Sequence, residues 1–454
     1  MSRLSVVLPV LLSVVACACG GDLVPVGSLS SNVVPAPGKT RRLALGSRHA
    51  CARLDDGAVK CWGRNDDNQL GVDAAGNIGD EPHEMGSALR AVDLGPGRIA
   101  LDIVAGAYHT CARLDDGAVK CWGSGSLGQL GLGENEPRVP GEPPKSVDLG
   151  RGRTAVEIAA GAHHTCARLD DGAVKCWGSG GSGALGLGDE QIRGWAPGQM
   201  GDALPSVDLG PDRVAVEIAA GGNHTCARLD DGSVRCWGDN THAQLGLGEP
   251  TECPRGGPCP TTARGDEPGE MGSELPAVDL GTGRTAVELA LGEAHTCALL
   301  DDGSVRCWGD PYRGALGTPS PVGKRGDRPS EMGDALPRVD LGPDRAVEIT
   351  AGGHATCARL EDGKVKCWGD VMSEDLVLGA LDKGAVPTLV ELGTRRRAVE
   401  IRRSTDGHTC AVLDDGSIKC WGDNADGQLG LGDRKQRGYS LSELGDALPP
   451  VQLE

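Results

Sequence analysis

Apolar and polar residues alternate along this chain in short runs, and no segment after the N-terminus sustains a helical repeat. One kind of run is Val156-Glu157-Ile158-Ala159-Ala160-Gly161, with parallels at 216–221, 287–292 and 347–352. A second pattern is fifteen residues long, His-Thr-Cys-Ala-Arg-Leu-Asp-Asp-Gly-Ala-Val-Lys-Cys-Trp-Gly, complete from His109 to Gly123. It occurs seven times with small changes, and Trp-Gly follows every closing cysteine. Asp115-Asp116-Gly117 separates two β-prone pieces. A three-residue loop ending in Gly closes a hairpin, because its last residue takes a left-handed conformation that Gly adopts without steric cost. A turn-rich loop follows, as in Gln129–Gly133, Gln244–Gly248 and Gln428–Gly432, and then a fourth run such as Leu204-Pro205-Ser206-Val207-Asp208-Leu209. Four short strands per unit, repeated seven times, predict an all-β fold: a seven-bladed β-propeller of four-stranded antiparallel blades closed into a ring.

The hairpin register places Leu114 opposite Ala118 and Cys111 opposite Cys121. Opposed Cβ atoms on an antiparallel pair approach the spacing that a disulfide needs. One cross-strand disulfide per blade is therefore expected: Cys51–Cys61, Cys111–Cys121, Cys166–Cys176, Cys226–Cys236, Cys297–Cys307, Cys357–Cys367 and Cys410–Cys420. The rival is seven metal sites, but each copy offers two thiolates and one upstream His, and no four-ligand zinc spacing. Cys253 and Cys259 lie in the longest insertion, about residues 249–274, and read as a local loop disulfide.

Composition narrows the picture. Phe is absent and aromatics make up 2% of residues, so a conventional aromatic-filled core is not expected; seven of the eight Trp belong to the Trp-Gly pairs. The formal charge of −19 opposes binding to phosphate backbones or anionic lipid surfaces by charge, so no nucleic-acid partner is expected. Arg395-Arg396-Arg397 reads as a solvated strand entry.

Residues 1–16 read as an export signal: Arg3 followed by an apolar run too short to span a membrane. It ends at Val14-Val15-Ala16-Cys17, which resembles the bacterial lipobox. By that resemblance Cys17 carries a lipid and becomes the mature N-terminus; Cys19 is the alternative acceptor, and a plain cleaved signal the alternative reading. Export agrees with dense cysteine pairing. Residues 17–40, with Gly20-Gly21, Pro25, Pro35 and Pro37, read as a tether, and 41–454 as the propeller. The terminal run 448–453 either finishes the last blade or pairs with the N-terminal strands, and some pairing between the termini is expected at ring closure.

The repeated pattern Gly-x-x-His-Thr-x-Ala-x-x-x-Asp-Gly-x-Val-x-x-Trp-Gly, followed by Gln-Leu-Gly and fullest over residues 106–133, resembles the regulator of chromosome condensation repeat family. The resemblance implies a seven-bladed propeller, with cysteine pairs typical of exported bacterial members. The family's founding activity is guanine-nucleotide exchange on a small GTPase with chromatin binding; no exchange-site residue transfers by motif, and charge and export oppose both. Exported propellers of this kind include a β-lactamase inhibitory protein, so inhibition of an enzyme is an alternative, as is a propeller lyase or hydrolase.

Candidate sites each meet a structural explanation. His49, His109, His164, His224, His295 and His408 precede the first cysteine at one spacing; a ring of metal ligands would be split by the blades, whereas histidines bonding backbone would recur. The paired carboxylates of the Asp-Asp-Gly turns sit where a hairpin turn needs them. Asp423-Asn424-Ala425-Asp426-Gly427 resembles a calcium loop, but its Gly stands at the wrong offset and the closing Glu is missing. No serine stands in a nucleophile elbow. Arg264-Gly265-Asp266 and Arg325-Gly326-Asp327 match an adhesion tripeptide, yet both belong to a recurring Gly-Asp-x-Pro-x-Glu-Met-Gly loop at 79–86, 265–272 and 326–333, with variants at 194–201 and 438–445. That loop varies between blades more than the hairpins do and is the expected binding platform; Tyr108, Trp195, Tyr312 and Tyr439 are the aromatics available for contact. No catalytic, cofactor or metal-binding residue is assigned. The expectation is a non-enzymatic monomer, lipid-anchored in a bacterial cell envelope, that binds a protein or glycan.

Overall fold

Seven antiparallel sheets stand around a central shaft in the computed structural model, which describes residues 41–134, 142–249, 262–319, 323–370 and 386–454. We number the sheets as blades 1 to 7. Each starts with an inner strand at the shaft, Leu43–Leu45 in blade 1 and Ala398–Arg403 in blade 7. A middle strand such as His164–Leu169 and an outer strand such as Val174–Gly178 follow. The hairpins close as their turn chemistry requires: Leu114 N–H bonds the Ala118 carbonyl at 2.9 Å, and Gly117 takes the left-handed backbone at φ 77°. Cys111 therefore faces Cys121, and the same pairing recurs in all seven blades. All seven cross-strand disulfides are formed, with Cα atoms 4.0–4.1 Å apart. Cys253, Cys259, Cys17 and Cys19 lie outside the described residues, as do the expected signal and tether.

The fourth strand is weaker than the pattern implies. Among the described residues only blade 6 has a regular one, Thr388–Val390. Elsewhere an extended segment makes one characteristic bond to the outer strand, as Val92 N–H to the Val59 carbonyl at 2.8 Å and Val207 N–H to the Val174 carbonyl at 2.8 Å. Proline explains much of this: Pro205, Pro276, Pro337 and Pro449-Pro450 stand at the start of these segments and remove a ladder donor.

The core lies between blades rather than within them. In a run such as Val-Lys-Cys-Trp-Gly the period of two sends Cys to one face and Trp to the other. The disulfide of each blade then packs on the next blade's Trp and Ala: Cys166 and Cys176 on Trp237 and Ala227, and so on around the ring. The seventh cluster puts Cys410 and Cys420 against Ala52 and Trp62, which closes the circle. Among the described residues the expected strand pairing of the termini does not occur, although Gly86 N–H of blade 1 bonds the Gln452 carbonyl at 3.0 Å. Val451 N–H bonds the Ile418 carbonyl at 2.8 Å, so the last run completes blade 7, and blade 1 meets blade 7 face to face. Both blades are already complete from their own repeats, so no strand is left to exchange.

Candidate functional site

The repeated histidines are latches between blades. His49 Nε2 lies 2.8 Å from Thr110 Oγ1 of the next blade; His109–Thr165, His164–Thr225, His224–Thr296 and His295–Thr356 repeat the contact at 2.8–2.9 Å. Each such threonine hydroxyl donates onward to a carbonyl of the preceding blade's loop, Thr165 and Thr225 to Gln129 and Ala184 at 2.9 Å. The indole N–H of Trp177 and Trp237 bonds those same carbonyls. The hydroxyl proton being used, the imidazole must donate from Nε2, which leaves Nδ1 bare; Nδ1 of His49, His109, His224 and His295 is buried without a partner. Burial lowers the imidazoles of His49, His109, His224, His295 and His408 to about 3 and that of His164 to about 4, so all are neutral at pH 7. Among the described residues no group of three His, Cys, Asp or Glu is placed to hold a metal ion.

The other repeated motifs are also joints. Arginines from the fourth-strand side pair with the Asp-Asp-Gly carboxylates, as Arg98 with Asp115 and Asp116 and Arg153 with Asp170 and Asp171. The Gly-Asp loops bind the preceding blade: Gly133 N–H to the Gly194 carbonyl, Gly188 to Gly265, Gly248 to Gly326 and Gly432 to Gly79, all at 2.9–3.0 Å. Both adhesion-like tripeptides are locked into these joints. Arg264 pairs with Glu249, and burial together with the nearby Glu270 carboxylate pushes Asp266 up to about 6. In the calcium-like loop Asn424 bonds the Asp433 and Lys435 carbonyls and Asp426 pairs with Arg48. The rim loops thus spend their Gly ends on ring assembly and their Glu on closing the loop on itself, and only their tips remain for contact.

Two features were missed by the sequence reading. The first is a belt of carboxylates, Asp102, Glu157, Glu217, Glu288, Glu348 and Glu400, at one register position of the inner strands. They join blades as well. Glu217 accepts the Leu289 N–H at 3.2 Å, Glu288 the Ile349 N–H at 3.0 Å, and Glu400 those of Arg42 and Leu43 across the ring closure at 3.0 and 3.3 Å. Their recurrence in Val-Glu-Ile was the available signal. The shaft itself keeps a cavity of only about 150 Å³, lined largely by Ala, Leu and Ile.

The second is a cup of about 560 Å³ at the end of the shaft where the inner strands turn into the middle ones. All seven blades contribute to its lining, mainly through the residues just before the latch histidine and just after Trp-Gly. Its chemistry differs from blade to blade. Tyr108 stacks on His163 with centroids 6.2 Å apart, and Tyr312 meets His354 edge-on at 4.9 Å. His242 Nδ1 lies 3.5 Å from Asp310, and His354 Nε2 lies 3.4 Å from Glu293. Asp239, Thr405 and Asp406 complete the polar wall. Burial lowers the His163 imidazole below its usual value. Two of the chain's three tyrosines meet here, whereas Trp195 and Tyr439 stand on the Gly-Asp loops. The signal was in the repeats themselves: the two residues before the latch are Ser47-Arg48, Ala107-Tyr108, Ala162-His163, Gly222-Asn223 and Glu293-Ala294 in blades 1 to 5, while the Gly before them and the His and Cys after them do not change.

Comparison with known proteins agrees with this architecture. Residues 41–69, 101–129, 155–184, 215–244, 286–315, 346–371 and 404–428 match the regulator of chromosome condensation (RCC1) repeat, and 116–168 and 171–228 match a second form of it. The chain is 28% identical to the Ultraviolet-B receptor UVR8 of Arabidopsis thaliana over 415 residues, 90% of this chain and 83% of the receptor. It is 30% identical over 385 residues to the mitochondrial RCC1 domain-containing protein RUG3 of the same plant, 82% of this chain and 78% of the relative. The crystal structure of Prp20p from Saccharomyces cerevisiae, described with its binding properties to Gsp1p and histones, superposes with a TM-score of 0.63 at 19% identity over 91% of this chain and 87% of that one. The repeat matches, the identity to RUG3 and the shared seven-sheet ring lead to one conclusion: this chain belongs to the regulator of chromosome condensation repeat family.

Proposed function

We propose that the protein is a binding propeller whose ligand site is the cup at the shaft mouth, and that it works outside the cytoplasm, lipid-anchored through Cys17 on a tether of residues 17–40. One observation carries the site: the internal copies repeat most of the residues that build joints and diverge most where they line the cup. The copies act as each other's controls, so divergence concentrated on this concave surface marks positions that ring assembly leaves largely free, with Ser47, Thr405 and Asp406 at the ring closure as exceptions. A cavity of this size with a few convergent polar groups and aromatic faces suits a ligand or a protruding segment of a partner. Seven disulfides support an oxidising compartment. The partner is a protein or a glycan, and binding rather than turnover is the activity. An exchange or enzyme-inhibitor role rests on family resemblance alone.

The test is affinity capture with the oxidised, full-length protein against envelope and secreted fractions, followed by crosslinking and mass spectrometry. A stoichiometric partner that Tyr108→Ala/Tyr312→Ala loses supports the mouth; a partner retained by that variant overturns it. Cys17→Ser is expected to release the protein from membranes, and persistent membrane association would sink the anchor.

A further inference from the structure

We propose that the cup binds an organic cation bearing primary amines, either a free polyamine or the lysine side chains of a partner segment; this rests on the mouth being the binding site. Among the described residues the cup is lined by the carboxylates of Asp239, Glu293, Asp310 and Asp406 and by no lysine or arginine. Asp406 has a guanidinium partner, Arg48 at 3.4 Å. The bonds of the other three go to neutral donors or to imidazoles. Asp239 accepts from Thr241 and Gln244, Asp310 from the Tyr312 N–H with His242 beside it, and Glu293 faces His354.

This charge is not demanded by the fold. The residue after Trp-Gly is Arg64, Ser124 and Ser179 in blades 1 to 3 but Asp239, Asp310, Asp370 and Asp423 in blades 4 to 7. The same backbone bond is made in all seven, from Arg64 N–H to the Arg48 carbonyl through Asp423 N–H to the Gly407 carbonyl. The side chain here also caps the following loop, but neutral Ser179 Oγ accepts the Gly181 N–H as Asp239 and Asp310 accept those of Thr241 and Tyr312, so neither contact calls for a negative arc on one side of the ring. Tyr108 in blade 2 and Tyr312 within that arc already carry guanidinium groups near their rings, Arg64 at 5.6 Å and Arg313 at 5.4 Å, which shows that cations are accommodated beside them. A tyrosine 52% exposed beside carboxylates that lack cationic partners is a combination suited to an alkylammonium group.

The experiment is calorimetric titration of the oxidised, full-length protein in about 0.15 M salt, where exposed charges more than a Debye length apart are screened. The probes, in separate arms, are spermidine, an acetylated Lys-Gly-Gly-Lys peptide and a neutral chito-oligosaccharide. One-to-one binding of spermidine or of the peptide is expected, weakened roughly tenfold by Asp310→Asn or Glu293→Gln, each the loss of one charged contact. Asp116→Asn removes a charge from a hairpin turn at the other end of the strands and is expected to leave affinity unchanged. Spermidine binding identifies a free polyamine, and binding of the peptide alone identifies a lysine-bearing partner. Equal weakening by Asp116→Asn, or no saturable binding of either amine, overturns the proposal. If only the oligosaccharide binds and Tyr312→Ala abolishes it, the mouth stands as a site while the cation falls. If no probe binds and the captured partner is indifferent to Tyr108→Ala/Tyr312→Ala, both fall.

Discussion

The joint between blades 3 and 4 and the joint between blades 7 and 1 solve one problem in two ways. At the first, His164 bonds Thr225, Thr225 and Trp237 share the Ala184 carbonyl, and Gly188 meets Gly265. At the second, the indole of Trp62 still bonds the Gln428 carbonyl at 3.0 Å and Gly432 still meets Gly79, but Ala50 stands where six other blades have Thr. His408 consequently has both ring nitrogens buried without a partner. The chain makes up the loss with contacts of another kind: Ser47 Oγ 2.7 Å from Thr405 Oγ1, and Arg48 on Asp406 and Asp426. The joint between blades 6 and 7 has lost the other half of the latch, since Ala355 replaces the histidine. There Arg403, in a position that is Ala or Leu in the other blades, reaches Thr409 Oγ1 at 2.9 Å and the Asp370 carbonyl at 2.6 Å. Burial lowers its guanidinium to about 10. At blades 6 and 7 the threonine left behind finds a new partner in Arg403, whereas at blades 7 and 1 His408 stays bare and other contacts hold the joint; the ring's closure, with no shared strand, is where such substitutions gather.

Several perturbations break or sharpen this contrast. Reduction strikes all joints at once, because every disulfide packs on the next blade. Each short loop contributes about 2–3 kcal/mol in loop-entropy terms, so reduced protein is expected to lose its cooperative thermal transition; a melting temperature unchanged by reductant would refute the role given to the disulfides. Acid comes next. The latch imidazoles titrate at about 3–4 in the folded state against 6.5 in the unfolded chain, so between these values the unfolded state binds more protons. Stability is full above about pH 6.5 and falls as the pH drops, by about 1.4 kcal/mol per pH unit for each histidine. Denaturant midpoints that stay flat from pH 7 to about pH 5 would contradict the buried neutral latches.

Single joints respond less. Thr225→Val strands the His164 N–H and is expected to cost about 1–3 kcal/mol, read from urea unfolding. Ala50→Thr gives His408 a partner and is expected to add about 1 kcal/mol; a loss instead would mean that the closing joint packs differently from the other six. Arg403→Ala should destabilise like Thr225→Val, and Ala355→His should recover part of that loss in the double variant, tested by a mutant cycle. The smallest effect belongs to the cup: Tyr312→Ala and Asp310→Asn are expected to change stability by less than about 0.5 kcal/mol, since their contacts with His354 and His242 of the neighbouring blades lie at the exposed mouth and belong to no buried latch.

The hairpins, the seven disulfides and the blade count follow from local pattern, because turn chemistry, strand alternation and cysteine spacing act within fifteen residues. The fourth strand was overread: its alternation is strand-like, but the prolines in several copies leave too few donors for a ladder. The latches were legible as structural histidines, though not their partner, which sits one repeat later, 56 residues on for His109 and 72 for His224. The recurring Gly-Asp loops were read as binding surface because they vary, whereas most of that variation is confined to tips around fixed joints.

By itself the chain determined its repeat unit, its covalent cross-links and the face each side chain of a hairpin would present, since these depend on neighbours in sequence. What only the closed ring decided is which residues share a cavity. Tyr108, His163, His242, Glu293, Asp310, His354 and Asp406 come from different blades and meet because seven turns converge on one shaft. No local rule places them together; their juxtaposition arises from the curvature set by packing each blade's disulfide on the next blade's tryptophan.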